Sequence, residues 1–220
     1  AGDAPDVTNG YTIFSTVSLT DIPGVRFLPG EGFGTVTLPG IGIPVGDPAI
    51  NPTPRRMITS EIERLLRTHG TLSGVSVRVS VPGGNKLAQK TFNPKLGITG
   101  GISIIGTSGI VRPFSSEAFV NSIRKEIQVA RALGCTELVI NSGAKSENYL
   151  RSRFPHLPPQ AFVHYGNYIG DTLRLAEEEG ITHLTMGIMI GKAVKLAEGH
   201  LDTHSRNVIM NRDFIATLAR

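Results

Sequence analysis

The sequence predicts a chain in two parts: a strand-rich α+β domain over residues 1–98, then a small, mostly parallel α/β domain over 99–220. Three observations predict it. Up to position 98 glycine and proline recur every few residues, as in IPGVRFLPGEGFGTVTLPGIGIPVGDPAINPTP, which leaves room only for short strands. Residues 75–81 alternate, with Val75, Val77, Val79 and Val81 on one parity. Beyond Gly100 the rhythm becomes strand, loop, helix, and strands separated by helices of that length pair in parallel through right-handed crossovers.

The elements follow in order. Residues 11–19 and 35–38 read as short strands, the first with Tyr11, Ile13, Val17 and Leu19 on one parity. Thr59 or Ser60 is the predicted start of a helix: Ser60 and Glu63 have capping-box spacing, Ile62, Leu65 and Leu66 supply an apolar face, and Gly70 stops it. The alternating valine strand ends at Pro82-Gly83-Gly84. In the second domain 102–105 is the predicted first strand. Ser115 or Ser116 then caps a helix with Phe119, Ile123, Ile127 and Ala130 on one face, closed by Gly134. Residues 138–140 form the next strand, and Pro158-Pro159 open a long helix through Phe162, Ile169 and Leu173 to Gly180. Gly166 and Gly170 within it suggest close packing on the sheet. The last strand is 181–186. The whole reads as a Rossmann-like layer following an α+β one.

Bulk properties narrow the function. The chain has 220 residues, 40% hydrophobic and 18% charged, the composition of an ordinary globular protein. Its net charge of +4 is spread along the chain, which suits an anionic small molecule better than nucleic acid; with 6% aromatic residues there is also little to stack on bases. Cys135 is the single cysteine, so no internal disulfide forms and a reducing, cytoplasmic setting is expected. No apolar run approaches membrane-spanning length. The chain opens on AGDAPDVTNG without an initiator methionine and ends inside the helical pattern VIMNRDFIATLAR, so both ends are expected to be cut.

Three glycine-bearing loops are expected at the carboxyl ends of the parallel strands, where open sheets gather ligands: Gly106-Thr107-Ser108-Gly109 with Gly101 before it, Asn141-Ser142-Gly143, and 187–191. Missing Cβ atoms allow close backbone approach, and Thr107, Ser108, Asn141 and Ser142 add neutral hydrogen-bonding groups. The plainer alternative is a set of tight turns. A phosphate loop of the GxxxxGK[ST] type is absent: Gly101 and Gly106 have the spacing, but Thr107 stands where lysine is needed.

The segments AGDAPDVTNG, GDPAINPTPRRMI, VSVPGGNKLAQKTFNPKLGITGGISIIGTSGIVRP and GKAVKLAEGHLDTHS, in order along nearly the whole chain, resemble the cobalt-precorrin-5B (C-1)-methyltransferase family, CbiD. The family's earlier Gly-Tyr-Thr-Thr-Gly-Thr-type motif is not in this chain. The resemblance implies transfer of a methyl group from S-adenosylmethionine to carbon 1 of a cobalt corrinoid, giving cobalt-precorrin-6A. Such chemistry asks mainly for alignment and exclusion of water. The alternative is a non-catalytic nucleotide- or corrinoid-binding module.

On this reading a polycarboxylate substrate needs fixed cations, and Arg55, Arg56, Lys90, Lys95, Arg112, Lys192 and Lys195 lie inside the family-like segments. Each is otherwise an ordinary surface charge. Asp3 and Asp6 are the acidic candidates, to accept a proton or to orient the sulfonium, against the plainer roles of an Asx turn and a strand cap. His200, Asp202 and His204 crowd into GHLDTHS, but no third metal ligand is evident and the cobalt is already held by the macrocycle. No protein-bound metal is expected, and His200 and His204 are assigned to substrate carboxylates or helix capping.

Overall fold

A computed structural model describes residues 7–70, 73–106 and 116–218. They fall into two compact units, one within Ala1–Ser115 and one within Ser116–Arg220, both mixing helices with strands. Among the described residues no helix is long and apolar enough to cross a membrane.

The first unit runs β1 (Phe14–Thr20), β2 (Val25–Pro29), β3 (Thr35–Val36), α1 (Pro52–Thr68), β4 (Gly74–Ser80), α2 (Gly84–Ala88) and β5 (Ile98–Thr99). Its main sheet has the order β1-β4-β2, with β4 antiparallel to β1 and parallel to β2. The alternation read from the valines is the packing pattern: Val75, Val77, Val79 and Val81 are buried while Arg78 is exposed. Ile58, Ile62 and Leu66, four residues apart on α1, pack on that valine face together with Val25 and Phe27. Edge strand β1 lies outside this cluster, leaving Val17 and Leu19 at 57% and 66% exposure.

Two expectations change here. Helix α1 begins at Pro52, not at Ser60. Prolines 52 and 54 stand in its first turn, where the missing N–H has no helical partner to lose, so they start the helix instead of breaking it. Residues 102–105 do not open the parallel sheet. Phe33 bridges to Ile102 and Ile50 to Ile104, and Ile102 is buried in the first unit's core. Asn93 fixes that segment by donating from Nδ2 to Gly101 O at 2.9 Å and accepting from Ser103 Oγ at 2.9 Å.

The second unit runs α3 (Ser116–Ala132), β6 (Glu137–Asn141), α4 (Ala144–Arg153), a 3-10 turn (Pro159–Ala161), β7 (Phe162–His164), α5 (Ile169–Glu178), β8 (His183–Gly187), α6 (Ile190–Ala197) and α7 (Arg212–Leu218). Its sheet is all parallel in the order β7-β6-β8, with Val139 beside Phe162 and Thr185. Leu138 and Ile140 point into a core with Ile123, Ile127 and Ala130 of α3 and Ile169, Leu175 and Ala176 of α5. Val139 points the other way, onto Leu150 of α4, Ala161 and Phe162. Helices thus flank both faces, which is what a parallel sheet needs.

The long helix expected from Pro158 to Gly180 is two elements. The run Ala161-Phe162-Val163 is buried on β7 and its approach, and the helix begins only at Ile169. A short apolar run fits a buried strand as well as a helix, and the break is made by Gly166, whose φ of 59° turns the chain between them. Its missing Cβ leaves room for the Phe119 ring, and that of Gly170 for Leu201 at 3.0 Å, so both glycines serve close packing.

Ile140→Ala should remove a fully buried side chain from the central strand and cost about 2–5 kcal/mol. Urea unfolding followed by circular dichroism reads this as a lower midpoint at unchanged slope.

Candidate functional site

The order β7-β6-β8 sets where a ligand can go. From β6 the chain passes through α4 to β7 on one side, then through α5 to β8 on the other. Those helices lie on opposite faces, as two connections of one hand running in opposite directions require. The carboxyl ends of β6 and β8 therefore flank a topological switch point, the usual crevice for ligands in open parallel sheets.

An open cleft of about 410 Å³ lies at this end of the sheet. It is lined by Asn167 from the turn after β7, by Met189, Gly191, Lys192 and Lys195 from the start and body of α6, and by Thr203, His204, Ser205 and Met210 beyond that helix. Lys192 and Lys195 stand three apart on one helical face, each bonded to a carbonyl. Lys192 Nζ donates to Gly166 O and sits 5.6 Å from the centroid of the buried Tyr165 ring. Lys195, only 6% exposed, donates to Thr203 O at 3.3 Å. Neither has a carboxylate within 4.0 Å among the described residues. Burial, and then the neighbouring charge of Lys195, hold the Lys192 ammonium below the usual lysine pKa. The Thr203 hydroxyl, on a residue 1% exposed, has no hydrogen-bond partner among the described residues.

The loop that brings Thr203 and His204 to the cleft is shaped by Gly199 and Asp202. Gly199, at φ 90°, ends α6 in the left-handed conformation, and His200 N closes the turn onto Lys195 O at 2.9 Å. Asp202 Oδ1 accepts the His204 N–H at 2.9 Å and Oδ2 accepts from Asn207 at 2.6 Å. Those two bonds, the first above all, hold its carboxyl below the ordinary aspartate value. His204 Nδ1 accepts the Arg206 N–H at 3.1 Å, which puts the proton of the neutral ring on Nε2. Asp202 and His204 are thus joined in a turn. Among the described residues no three His, Cys, Asp or Glu side chains gather as a metal site.

The other sequence-predicted positions divide. Lys192, Lys195 and His204 meet at the cleft, whereas His200 is exposed and does not line it. Asn141 is buried at the carboxyl end of β6, donating to Val163 O at 3.2 Å and accepting the Gly143 N–H at 3.1 Å. Ser142 bonds to the Tyr165 phenol, whose pKa burial raises. At Gly143 a Cβ would only touch His164 Nε2, at 3.6 Å. Gly187 carries no spare room, because Leu150 fills the place of its Cβ.

Gly101 and Gly106 lie in the first unit. The Cβ position of Gly101 is occupied by the backbone of Gly32, while among the described residues no neighbour comes within 4 Å of that of Gly106. Arg55 is fully engaged at home: Nε donates to Ile50 O at 2.9 Å, Nη2 to Pro48 O at 2.8 Å, and Nη1 pairs with Asp47 at 2.9 Å. Arg56 and Lys90 are exposed. Asp3, Asp6, Thr107, Ser108, Gly109 and Arg112 lie outside the described residues. Thr203 lies inside GHLDTHS without a signal of its own, and Met210 lies beyond that segment; their role depends on how Gly199 turns the chain.

A family model described as CbiD matches residues 1–113. The chain is 52% identical to the cobalt-precorrin-5B C(1)-methyltransferase of Prosthecochloris aestuarii, over 100% of this chain and 61% of that protein. It is 48% identical to the protein of the same name from Geobacillus thermodenitrificans, over 99% of this chain and 59% of the relative. The chain thus spans about three fifths of the length of these curated relatives. A crystal structure of cobalamin biosynthesis protein (cbiD) from Archaeoglobus fulgidus is 27% identical, covering 92% of this chain and 61% of that one, with a TM-score of 0.40.

Arg55→Ala should cost about 1–3 kcal/mol by stranding the Pro48 and Ile50 carbonyls and Asp47. Gly101→Ala should cost about as much, by overpacking against Gly32. Gly143→Ala should stay within about 0.5 kcal/mol. Thermal melts of the three variants check all of this; an Arg55 variant as stable as the parent would contradict the clamp.

Proposed function

Because the chain belongs to the CbiD family, we propose that it takes part in moving a methyl group from S-adenosylmethionine to C-1 of cobalt-precorrin-5B, yielding cobalt-precorrin-6A in cobalamin biosynthesis. The observation that carries this is 52% identity, along the whole chain, with a protein of that name. A cytoplasmic location belongs to the same proposal.

The second unit, read as a Rossmann-like layer, offers the donor the crevice between the ends of β6 and β8. There Asn141 latches the loop by accepting the Gly143 N–H, so Ser142 and Gly143 present a fixed, uncharged rim. The acceptor is a polyanion, and Lys192 and His204 in the cleft beyond β8 are the cations and donors it needs. In the reaction an electron pair of the macrocycle forms the new C–C bond while the C–S bond breaks, its pair staying on sulfur, which becomes a neutral thioether. The chain's contribution is alignment of the two partners and exclusion of water.

Titration calorimetry of the chain with S-adenosylhomocysteine and with ATP tests the donor assignment. Saturable binding of adenosylhomocysteine without ATP binding is expected. Binding of ATP alone would overturn it in favour of a nucleotide module.

A further inference from the structure

We propose that the cleft beyond β8 is a built seat for a ligand carboxylate, gripped by Lys192 and Lys195, with Asn167 and the Nε2–H of His204 at its rim. The first support is Lys195. It is 6% exposed, its Nζ has one long bond of 3.3 Å to a carbonyl, and no carboxylate lies within 4.0 Å among the described residues. An ammonium offers three donors, and a buried cation whose direct partner is a neutral carbonyl is costly, the Asp202 charge acting on it only from beyond ion-pair distance. A second cation three residues away, Lys192, adds repulsion to that cost. The pair is stable where an anion comes from outside.

Among the described residues no carboxylate contacts either ammonium: Asp202 acts on Lys195 electrostatically, but its two oxygens accept from His204 N and Asn207 Nδ2. The second support is independent of charge: the Thr203 hydroxyl, in the wall of the same cleft, is buried without a partner among the described residues. Native structures rarely leave such a group unsatisfied unless something else belongs there. Two ammonium groups, a carboxamide and an imidazole N–H match the roughly four lone-pair sites of a planar carboxylate. Met189 and Met210 leave the rest of the wall apolar, suited to the carbon skeleton that carries it.

That an anion binds here rests on the cleft alone; that it is a carboxylate rests on the methyl-transfer reading. Under that reading the carboxylate has two sources, the amino-acid end of the donor and the acetate and propionate groups of the macrocycle.

The test is NMR of lysine ¹³Cε signals in the 220-residue chain, assigned with Lys192→Met and Lys195→Met variants. Sodium acetate and inorganic phosphate are titrated separately against chloride at constant ionic strength. Acetate should shift both signals saturably, and either substitution should weaken the response about tenfold, a change of about 1.4 kcal/mol. Lys195→Met removes the bond to Thr203 O together with the buried charge, so its thermal melt is recorded beside the titration; a variant that melts cooperatively yet no longer responds to acetate has lost binding, not folding. No saturable shift with either ion, or a response that survives both substitutions, overturns the seat. Tighter binding of phosphate than acetate overturns the carboxylate assignment.

Two further arms then separate the sources. S-adenosylhomocysteine is compared with 5′-methylthioadenosine, which lacks the carboxylate, and cobyrinic acid with its heptamethyl ester. Dependence on the lysines in one arm identifies that source. An acetate response with neither ligand binding keeps the seat and sinks the methyl-transfer reading instead.

Discussion

Strand β6 contributes Leu138 and Ile140 to one side of the second unit and Val139 to the other, and none of the three is accessible to solvent. At about 1.5–3 kcal/mol for each fully buried side chain, those few residues make separation of the strand from its covering helices expensive. The strand sits at the centre of its sheet, with β7 and β8 on either side and helices above and below. That arrangement sends successive connections in opposite directions, and the split at the carboxyl ends of β6 and β8 follows from it. The crevice thus opens at the end of the strand whose three aliphatic residues tie the two helical layers together.

What surrounds the split is uncharged on one side and cationic on the other. The β6 loop is latched by the buried Asn141, whose carboxamide serves Val163 and Gly143 and so is not available to a ligand itself. The α6 side carries Lys192 and Lys195, which serve only carbonyl oxygens among the described residues. Sodium-like charge density is not what such a pair attracts; it attracts anions, and two ammonium groups at reduced solvation discriminate more sharply by charge than the same groups in water. The contrast with Arg55 is instructive. That guanidinium, equally prominent in the sequence, is engaged by Asp47, Pro48 and Ile50, and acts on the first unit's own loop.

Much of the fold was legible because it rests on local periodicity. The valine alternation of β4 and the Phe119, Ile123, Ile127, Ala130 face of α3 appear in the packing as they do in the sequence. Three features were not. The start of α1 was hidden because Pro52 and Pro54 read as breakers, although a first turn tolerates them. Strand β7 was hidden inside a helix-length segment because Phe162-Val163 is too short to show a period. Residues 102–105 were assigned to the wrong sheet, since an apolar run does not say which neighbours cover it. Lys192, Lys195 and His204, which line the cleft, stood out as residue types, but the packing around the glycines did not. Gly101 and Gly187 look like ligand glycines in sequence, yet Gly32 and Leu150 occupy their missing Cβ positions.

The central claim is that the switch-point end of the parallel sheet is the ligand-binding end. Hydrogen–deuterium exchange of the chain with and without S-adenosylhomocysteine tests it most directly. The account predicts slower exchange confined to residues 141–144, 187–192 and 202–205, with the exposed strand β1 unchanged. Protection that appears elsewhere while those three segments exchange as before would contradict it.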